Sequence, residues 1–271
     1  MIVDTHVHVI SDDLKTYPKV ADAYDWPVFT AEMYLATMDA VGIDRALLVQ
    51  PYFTYRFDNS YQAEAARRHK DRFLCVCVID AFAKNAPDVL RELVEKRGVR
   101  GVRFMRTRDH WAGDPQTFPV WECADALGIP ICVAARFEEL AEARAPIERH
   151  PRVKVALEHM WAGHVGDPPY TQLEPFYEFA RYPNVYVKTT PNNSYAAREG
   201  RSTPKAFFGT LVERFGAKRI MWGSNYPAHW DKYAKIKERL ALARQDLAFL
   251  NAEDQRWIFG ETALSLWPAL R

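Results

Sequence analysis

No sign of charge dominates this chain. Across 271 residues, 36 lysines and arginines meet 35 aspartates and glutamates, for a formal net charge of +1. A basic stripe that would track a phosphate backbone is missing, and Arg67-Arg68 reads as the solvated face of a helix, so nucleic acid is not an expected partner. No apolar run is long enough to span a bilayer, and no charged leader precedes an apolar segment; neither a membrane partner nor a secretory signal is expected. Cysteine is scarce, four residues with no C-x-x-C pair. Cys75, Cys77, Cys123 and Cys132 are therefore expected as reduced, structural thiols in a cytoplasmic protein. Repeats, low-complexity tracts and linkers are also missing. Residues 1–271 read as one domain, and 48% hydrophobic content is enough to fill a large core.

What is present is alternation. Short apolar runs and amphipathic helical patterns follow one another from end to end, as in parallel βα units. Strands are expected at residues 2–8, 46–50, 73–79, 99–104, 131–135, 153–159, 185–189 and 219–222. The third is apolar on both faces, as a strand covered by helices should be. Helix punctuation falls between the strands: Thr30 as an N-cap with Gly42 past the end, Pro87 with Gly98, Pro119 with Gly128, and Thr203-Pro204 with Gly216. Asn59 and Gln62 are spaced like a capping box. Longer helical patterns cover about 138–149, 231–250 and 253–266. Eight strand–helix pairs in a chain of this length match an α/β fold, the (β/α)8 TIM barrel. An open doubly wound sheet would want a glycine-rich loop after the first strand; Thr5-His6-Val7-His8 stands there instead.

That His-x-His is the organising feature. Strand side chains alternate faces, so His6 and His8 are expected to point the same way with Asp4 below them, the imidazoles roughly 6–7 Å apart. Such a pair can reach one metal ion or one substrate carbonyl; two solvated histidines at a strand end are the bland alternative. In a barrel all strand C-termini meet at one face, which would gather His6, His8, Gln50, Arg103, Arg136, His159, Lys188 and Asn225. Arg103 is expected near the mouth, binding an anion or paired with an internal carboxylate such as Asp4 or Asp80. Arg106, Arg108 and Arg136 flank it on loops and together suggest a carboxylated substrate held in bidentate fashion. Lys188 reads as a substrate contact or as a buried partner of Glu158. Tyr52, Trp161, Tyr226 and Trp230 could wall a pocket for a planar ring, or simply pack their loops.

With these residues placed, the sequence resembles the amidohydrolase superfamily, in its branch of small lactonases and non-oxidative decarboxylases (2-pyrone-4,6-dicarboxylate lactonase-like). The matching motifs are Val3-Asp4-Thr5-His6-Val7-His8, Gly101-Val102-Arg103-Phe104, Glu158-His159, Val185-Tyr186-Val187-Lys188 and Met221-Trp222-Gly223-Ser224-Asn225-Tyr226-Pro227, closed by Ile258-Phe259-Gly260-Glu261. The resemblance implies that His6 and His8 are metal ligands or carbonyl-polarising groups. It also implies that His159 contacts a carbonyl oxygen, a water or the metal as a third ligand. Two departures stand out: at the end of strand five, where metal-dependent members carry a histidine, this chain has Ala134-Ala135-Arg136, and in place of the strand-eight aspartate it has Asn225. An amide cannot accept a proton at neutral pH.

The expectation is a hydrolase that opens a carboxylate-bearing lactone or cyclic ester, with water attacking a carbonyl polarised by His6, His8 and His159. Asp4, Asp109 and Asp231 are candidates for the base. One divalent ion, zinc or manganese, and a metal-independent site both remain open. The alternatives are a metal-dependent decarboxylase of an aromatic acid and an inactive barrel serving as a binding protein. A homo-oligomer is compatible with the sequence.

Overall fold

A computed structural model describes residues 1–105, 111–135, 137–161, 165–229 and 235–271, apart from the side chains of Phe137, Glu138 and Trp161. Its strands are β1 (Val3–Val7), β2 (Arg45–Val49), β3 (Phe73–Val76), β4 (Val102–Met105), β5 (Ile131–Ala134), β6 (Val155–Glu158), β7 (Val185–Thr189) and β8 (Ile220–Trp222). Each pairs parallel with the next inside two runs, β1–β3 and β4–β8. The runs join at two seams. Cys77 bridges to Val102 and Val7 bridges to Tyr226, both in parallel sense, so the eight strands form one ring in chain order. This is the expected barrel.

Alternation along the strands separates two cores. Leu47 and Val49 of β2 join Val3, Leu74, Val76, Cys132, Ala156 and Met221 inside the ring. Ala46 and Leu48 instead join the layer between strands and helices. The C-terminal segment packs with the inner set through Leu264, Leu266, Trp267 and Leu270. Trp267 Nε1 donates to Arg100 O at 2.8 Å and Arg45 Nε donates to Leu270 O at 3.2 Å. Arg45 opens β2 and Arg100 lies just ahead of β4, so this segment closes the end opposite the site.

One expectation about β1 fails for a specific reason. Asp4 pairs with Ala46 and Val7 with Leu48, three residues on β1 against two on β2, which is a β-bulge. The extra residue turns Asp4 and Val7 to the outer layer while His6 and His8, flanking Val7, face inward. Asp4 is therefore not beneath the histidines. Its Oδ2 accepts from Tyr34 Oη at 2.8 Å, on the helix Ala31–Val41, and its Oδ1 accepts from Ser224 N at 2.8 Å and His6 N at 3.1 Å.

The helix signals hold at most termini. Thr30 Oγ1 accepts from Met33 N, and Gly42 takes φ 77°, a left-handed turn that a side chain would strain. Three helical expectations are corrected. Asn59 and Gln62 form no capping box: Asn59 instead bonds both N and O of Val78, and Gln62 Nε2 donates to Val9 O, so these amides tie the helix Ser60–Arg68 to β-strand ends. The pattern at 138–149 is broken into Phe137–Leu140, a 3-10 turn and Arg144–Arg149, with Pro146 preventing one continuous ladder. The pattern at 253–266 is interrupted by a π-turn, Trp257–Glu261. Among the described residues no helix is long and apolar enough to cross a membrane.

Candidate active site

The ring brings three histidines together. His6 Nε2 and His8 Nε2 face each other at 3.2 Å, and the His6 and His159 rings meet edge to face with centroids 4.4 Å apart. All three are buried. His8 Nδ1 lies 2.7 Å from Val49 O, a carbonyl that can only accept, so Nδ1 carries the proton and Nε2 presents a lone pair. His159 sits at the end of β6 with φ 63° and Met160 with φ 44°; a left-handed turn here swings the ring back over the barrel mouth. Asn193 Nδ2 donates to His159 O at 2.7 Å, and Thr190 Oγ1 lies 3.3 Å from His159 Nδ1, fixing that turn from the short helix Pro191–Ala196 and its N-cap that follow β7.

Beneath the histidines lies a charged array. Glu158 Oε2 accepts from Arg103 Nε at 2.6 Å and Oε1 accepts from Lys188 Nζ at 3.0 Å. Lys188 also donates to Cys132 Sγ at 3.3 Å. The internal carboxylate that Arg103 meets is thus Glu158, not Asp4 or Asp80, and Lys188 is the buried partner of the same residue. His6 Nδ1 is 3.2 Å from Glu158 Oε1, out of line for an N–H···O bond. Burial opposes charge on Glu158, but Arg103 and Lys188 outweigh it and hold its carboxyl well below the usual range. Two cations against one anion leave one positive charge in excess. Burial first, and then Arg103, pushes His8 down to about 3. His159 is likewise pushed to about 3, by burial with Arg103 and Lys188 adding, against the pull of Glu158. Burial holds His6 well below its ordinary value too. The cluster is neutral imidazole over a cationic floor.

This arrangement fits a divalent cation. Neutral His6 has no tautomer that suits both neighbours: with the proton on Nδ1 its Nε2 lone pair opposes that of His8, and with the proton on Nε2 its Nδ1 lone pair opposes Glu158. A cation between the two Nε2 atoms removes the conflict. Two imidazoles on tetrahedral zinc, at about 2.0–2.1 Å each, would stand about 3.3 Å apart, close to the separation present. His6, His159 and Glu158 also place one ligand atom each within 4.8 Å of one another. Glu158 is the weakest of these donors, because Arg103 and Lys188 already occupy both of its oxygens.

The other expected residues divide. Asn225 N donates to His6 O at 2.7 Å and the residue takes φ 52°, which places it at the cluster's edge. Tyr52 lines a cleft with Arg103. Tyr226 turns elsewhere, its ring packing on Phe29 at 4.7 Å and under the Arg239 guanidinium at 5.1 Å. Arg106, Arg108, Asp109, Arg136, Trp230, Asp231 and the Trp161 side chain lie outside the described residues. Sequence reading missed Trp26, which stacks on His8 at 5.1 Å, and Arg239, which is buried and donates to Ser224 O at 3.0 Å and Ala228 O at 3.1 Å. The only hint of Trp26 was an aromatic in the loop after the His-x-His; Arg239 gave no signal distinguishing it from a surface helix arginine.

Comparison with known proteins gives the family and agrees with the fold. A protein named 4-sulfomuconolactone hydrolase from Hydrogenophaga intermedia is 29% identical over 243 residues, covering 83% of this chain and 74% of its own. An L-fucono-1,5-lactonase from Burkholderia ambifaria is 25% identical over 240 residues, covering 83% and 80%. Among solved structures, a probable 2-pyrone-4,6-dicarboxylic acid hydrolase from Acinetobacter baumannii, with citric acid bound, superposes with TM-score 0.80 at 17% identity over 98% of this chain and 99% of its own. An amidohydrolase from Burkholderia multivorans with bound zinc does so with TM-score 0.74 at 20% identity, covering 99% of each. The family model described as Amidohydrolase matches residues 3–269, nearly the whole barrel including both ends of the histidine cluster. The chain belongs to the amidohydrolase family.

Proposed function

We propose that this protein hydrolyses a lactone carrying an acid group, and that the ring carbonyl is polarised at His6, His8 and His159. The observation that supports this most is the convergence of three buried, neutral imidazoles above Arg103 and Lys188. His8 presents a lone pair at Nε2 and so acts on a carbonyl only through a cation it would hold, while the cationic floor favours an oxyanion over its neutral precursor. Both relatives compared by sequence bear lactone-hydrolase names, which supports ring opening as the reaction. A divalent ion held by His6 and His8, with His159 as third ligand, would supply Lewis-acid polarisation and acidify bound water.

The chain's own groups divide the remaining work. Arg103 spends Nε on Glu158 and has its outer edge left for the acid group of the substrate. Trp26 packs on His8 and restricts its ring. Asp4 does not serve as base: three donors occupy it and it faces the outer layer. Asn225, as an amide, orients rather than accepts a proton.

A pH-indicator assay of ring opening tests the reading, with acid release followed on a panel of five- and six-membered lactones. Turnover should require His8, and His8→Asn should lower kcat/KM by about a hundredfold or more. A panel with no acid release, in zinc-loaded or untreated protein, would discard the lactonase assignment.

A further inference from the structure

Among the described residues, β8 and the turn after it meet β1 at a single strand bridge, Val7 to Tyr226. There the backbones bond directly: His8 N donates to Tyr226 O at 2.8 Å, and Asn225 N donates to His6 O at 2.7 Å. Ahead of that bridge, side chains of β1 stand in for a ladder. Thr5 Oγ1 donates to Trp222 O at 2.7 Å, and Asp4 Oδ1 accepts from Ser224 N at 2.8 Å. The same Oδ1 accepts from His6 N at 3.1 Å, so one carboxylate oxygen joins an amide from each side of the seam. Tyr34 Oη donates to Oδ2 at 2.8 Å and keeps the carboxylate from turning away. Asp4, Tyr34 and Ser224 are all buried. The two segments also touch with no side chain between them: a Cβ at Gly223 would stand 2.8 Å from His6 N and 2.7 Å from His6 Cβ. Both polar backbone atoms of His6 are thus tied to residues 224 and 225, its O directly and its N through Asp4.

We propose that Asp4 is a positioning residue, a carboxylate outside the barrel that sets His6 against His8 and His159 by pinning the β1–β8 seam. It touches no reacting atom. A carboxylate oxygen takes both amide hydrogens with charge assistance, and its removal leaves two buried N–H groups without an acceptor. His6 then keeps its tie through O and loses the one through N, and a small shift of its ring changes the spacing of the whole cluster. Because the role is geometric, an amide should fill it. Asparagine offers Oδ1 to the same N–H groups and Nδ2 to Tyr34 Oη. A role for the charge itself would make asparagine as poor as alanine. The inference rests on the lactonase reading for turnover, and on the seam alone for the rest.

Full-length Asp4→Ala, Asp4→Asn, Tyr34→Phe and Met38→Ala test this. Met38→Ala is the control: it removes buried apolar volume from the helix that carries Tyr34, and no hydrogen bond. Hydrogen exchange in the peptides holding His6 and Ser224, read against β4–β7, should quicken by about tenfold or more in Asp4→Ala. Zinc affinity, by competition with a chromophoric chelator, should fall by about tenfold in Asp4→Ala, stay within about threefold of wild type in Asp4→Asn, and lie between them in Tyr34→Phe. On a lactone that the protein opens, kcat should fall in the same order with KM little changed. Met38→Ala should keep zinc affinity within about twofold of wild type, even where its melting temperature drops as far as that of Asp4→Ala. Unchanged exchange or unchanged zinc affinity in Asp4→Ala overturns the proposal. Asp4→Asn as poor as Asp4→Ala replaces it with a role for the charge, and Met38→Ala as poor as Asp4→Ala replaces it with general loosening. Should Asp4→Ala fail to fold, Tyr34→Phe against Met38→Ala makes the same comparison. If no lactone is opened, the lactonase reading falls, while exchange and zinc affinity still decide the seam.

Discussion

Lys188 Nζ and Glu158 Oε1 form a fully buried ion pair at 3.0 Å, and Arg103 holds the other oxygen of the same carboxylate. Removing the carboxylate leaves two buried cations side by side, whereas removing the lysine leaves a balanced Arg103–Glu158 pair. Glu158→Gln should therefore cost about 3–5 kcal/mol, and Lys188→Met, which keeps much of the volume, clearly less. Urea denaturation of the two variants checks the order. A Lys188→Met protein that is the less stable of the two would show that the excess charge is compensated in some other way.

The depressed histidines set a pH dependence of stability. His8 and His159 stand near 3 in the fold against about 6.5 in the unfolded chain. The unfolded state therefore binds more protons between those values, and stability falls as pH drops from about 6.5 toward 3. Above 6.5 both states are neutral there and the two groups contribute no slope. Each can supply at most about 1.4 kcal/mol per pH unit inside the window. Denaturation midpoints of chelator-treated protein from pH 4 to 8 should show this fall, and His159→Asn should flatten it. An unchanged slope in the variant would place the acid sensitivity elsewhere.

Much of this architecture was legible because it depends on local rules. The short apolar runs and the Thr30, Gly42, Gly98, Gly128 and Thr203 signals needed no tertiary information. The His-x-His could be placed on one face because two-residue spacing survives a bulge that precedes it. Asp4 could not, because the bulge lies between it and His6 and has no sequence mark here. Likewise, that Asn59 and Gln62 reach neighbouring strand ends and leave their own helix uncapped depends on packing between elements distant in sequence. Arg103 shows the limit most clearly: a guanidinium near the mouth was foreseeable, but its carboxylate lies 55 residues further on, in β6.

Arg239 should act as a positioning residue. It spans Ser224 O and Ala228 O, while between them Tyr226 O accepts from His8 N at 2.8 Å and Asn225 N donates to His6 O. The segment 224–228 is thus clamped from the helix Ile236–Asp246 onto the histidine strand. Arg239→Lys retains a charge but loses the planar fork whose two nitrogens reach the two carbonyls separately. Its kcat should fall by about tenfold or more with KM little changed, since a small misplacement near the reacting atoms is costly. Equal changes in kcat and KM, tracking a lowered melting temperature, would reduce Arg239 to a packing role.

Asn225 should set how firmly a cation would be held. Its backbone is fixed to His6 O and the residue is buried, so an aspartate in its place would add a negative charge next to the histidine strand. Carboxylate oxygen is an ordinary zinc ligand, and an amide carbonyl is a neutral and weaker one. Asn225→Asp should tighten zinc binding by at least about tenfold, or 1.4 kcal/mol. The added charge also offsets the positive excess of Arg103 and Lys188, so the gain does not depend on coordination alone. Competition against a chromophoric chelator measures both proteins on one scale. If wild type and variant bind zinc equally tightly, the three histidines complete the site unaided. If the variant binds more tightly but opens lactones more slowly, the amide serves the reaction as a neutral partner for substrate or water, and the native chain trades metal affinity for that role.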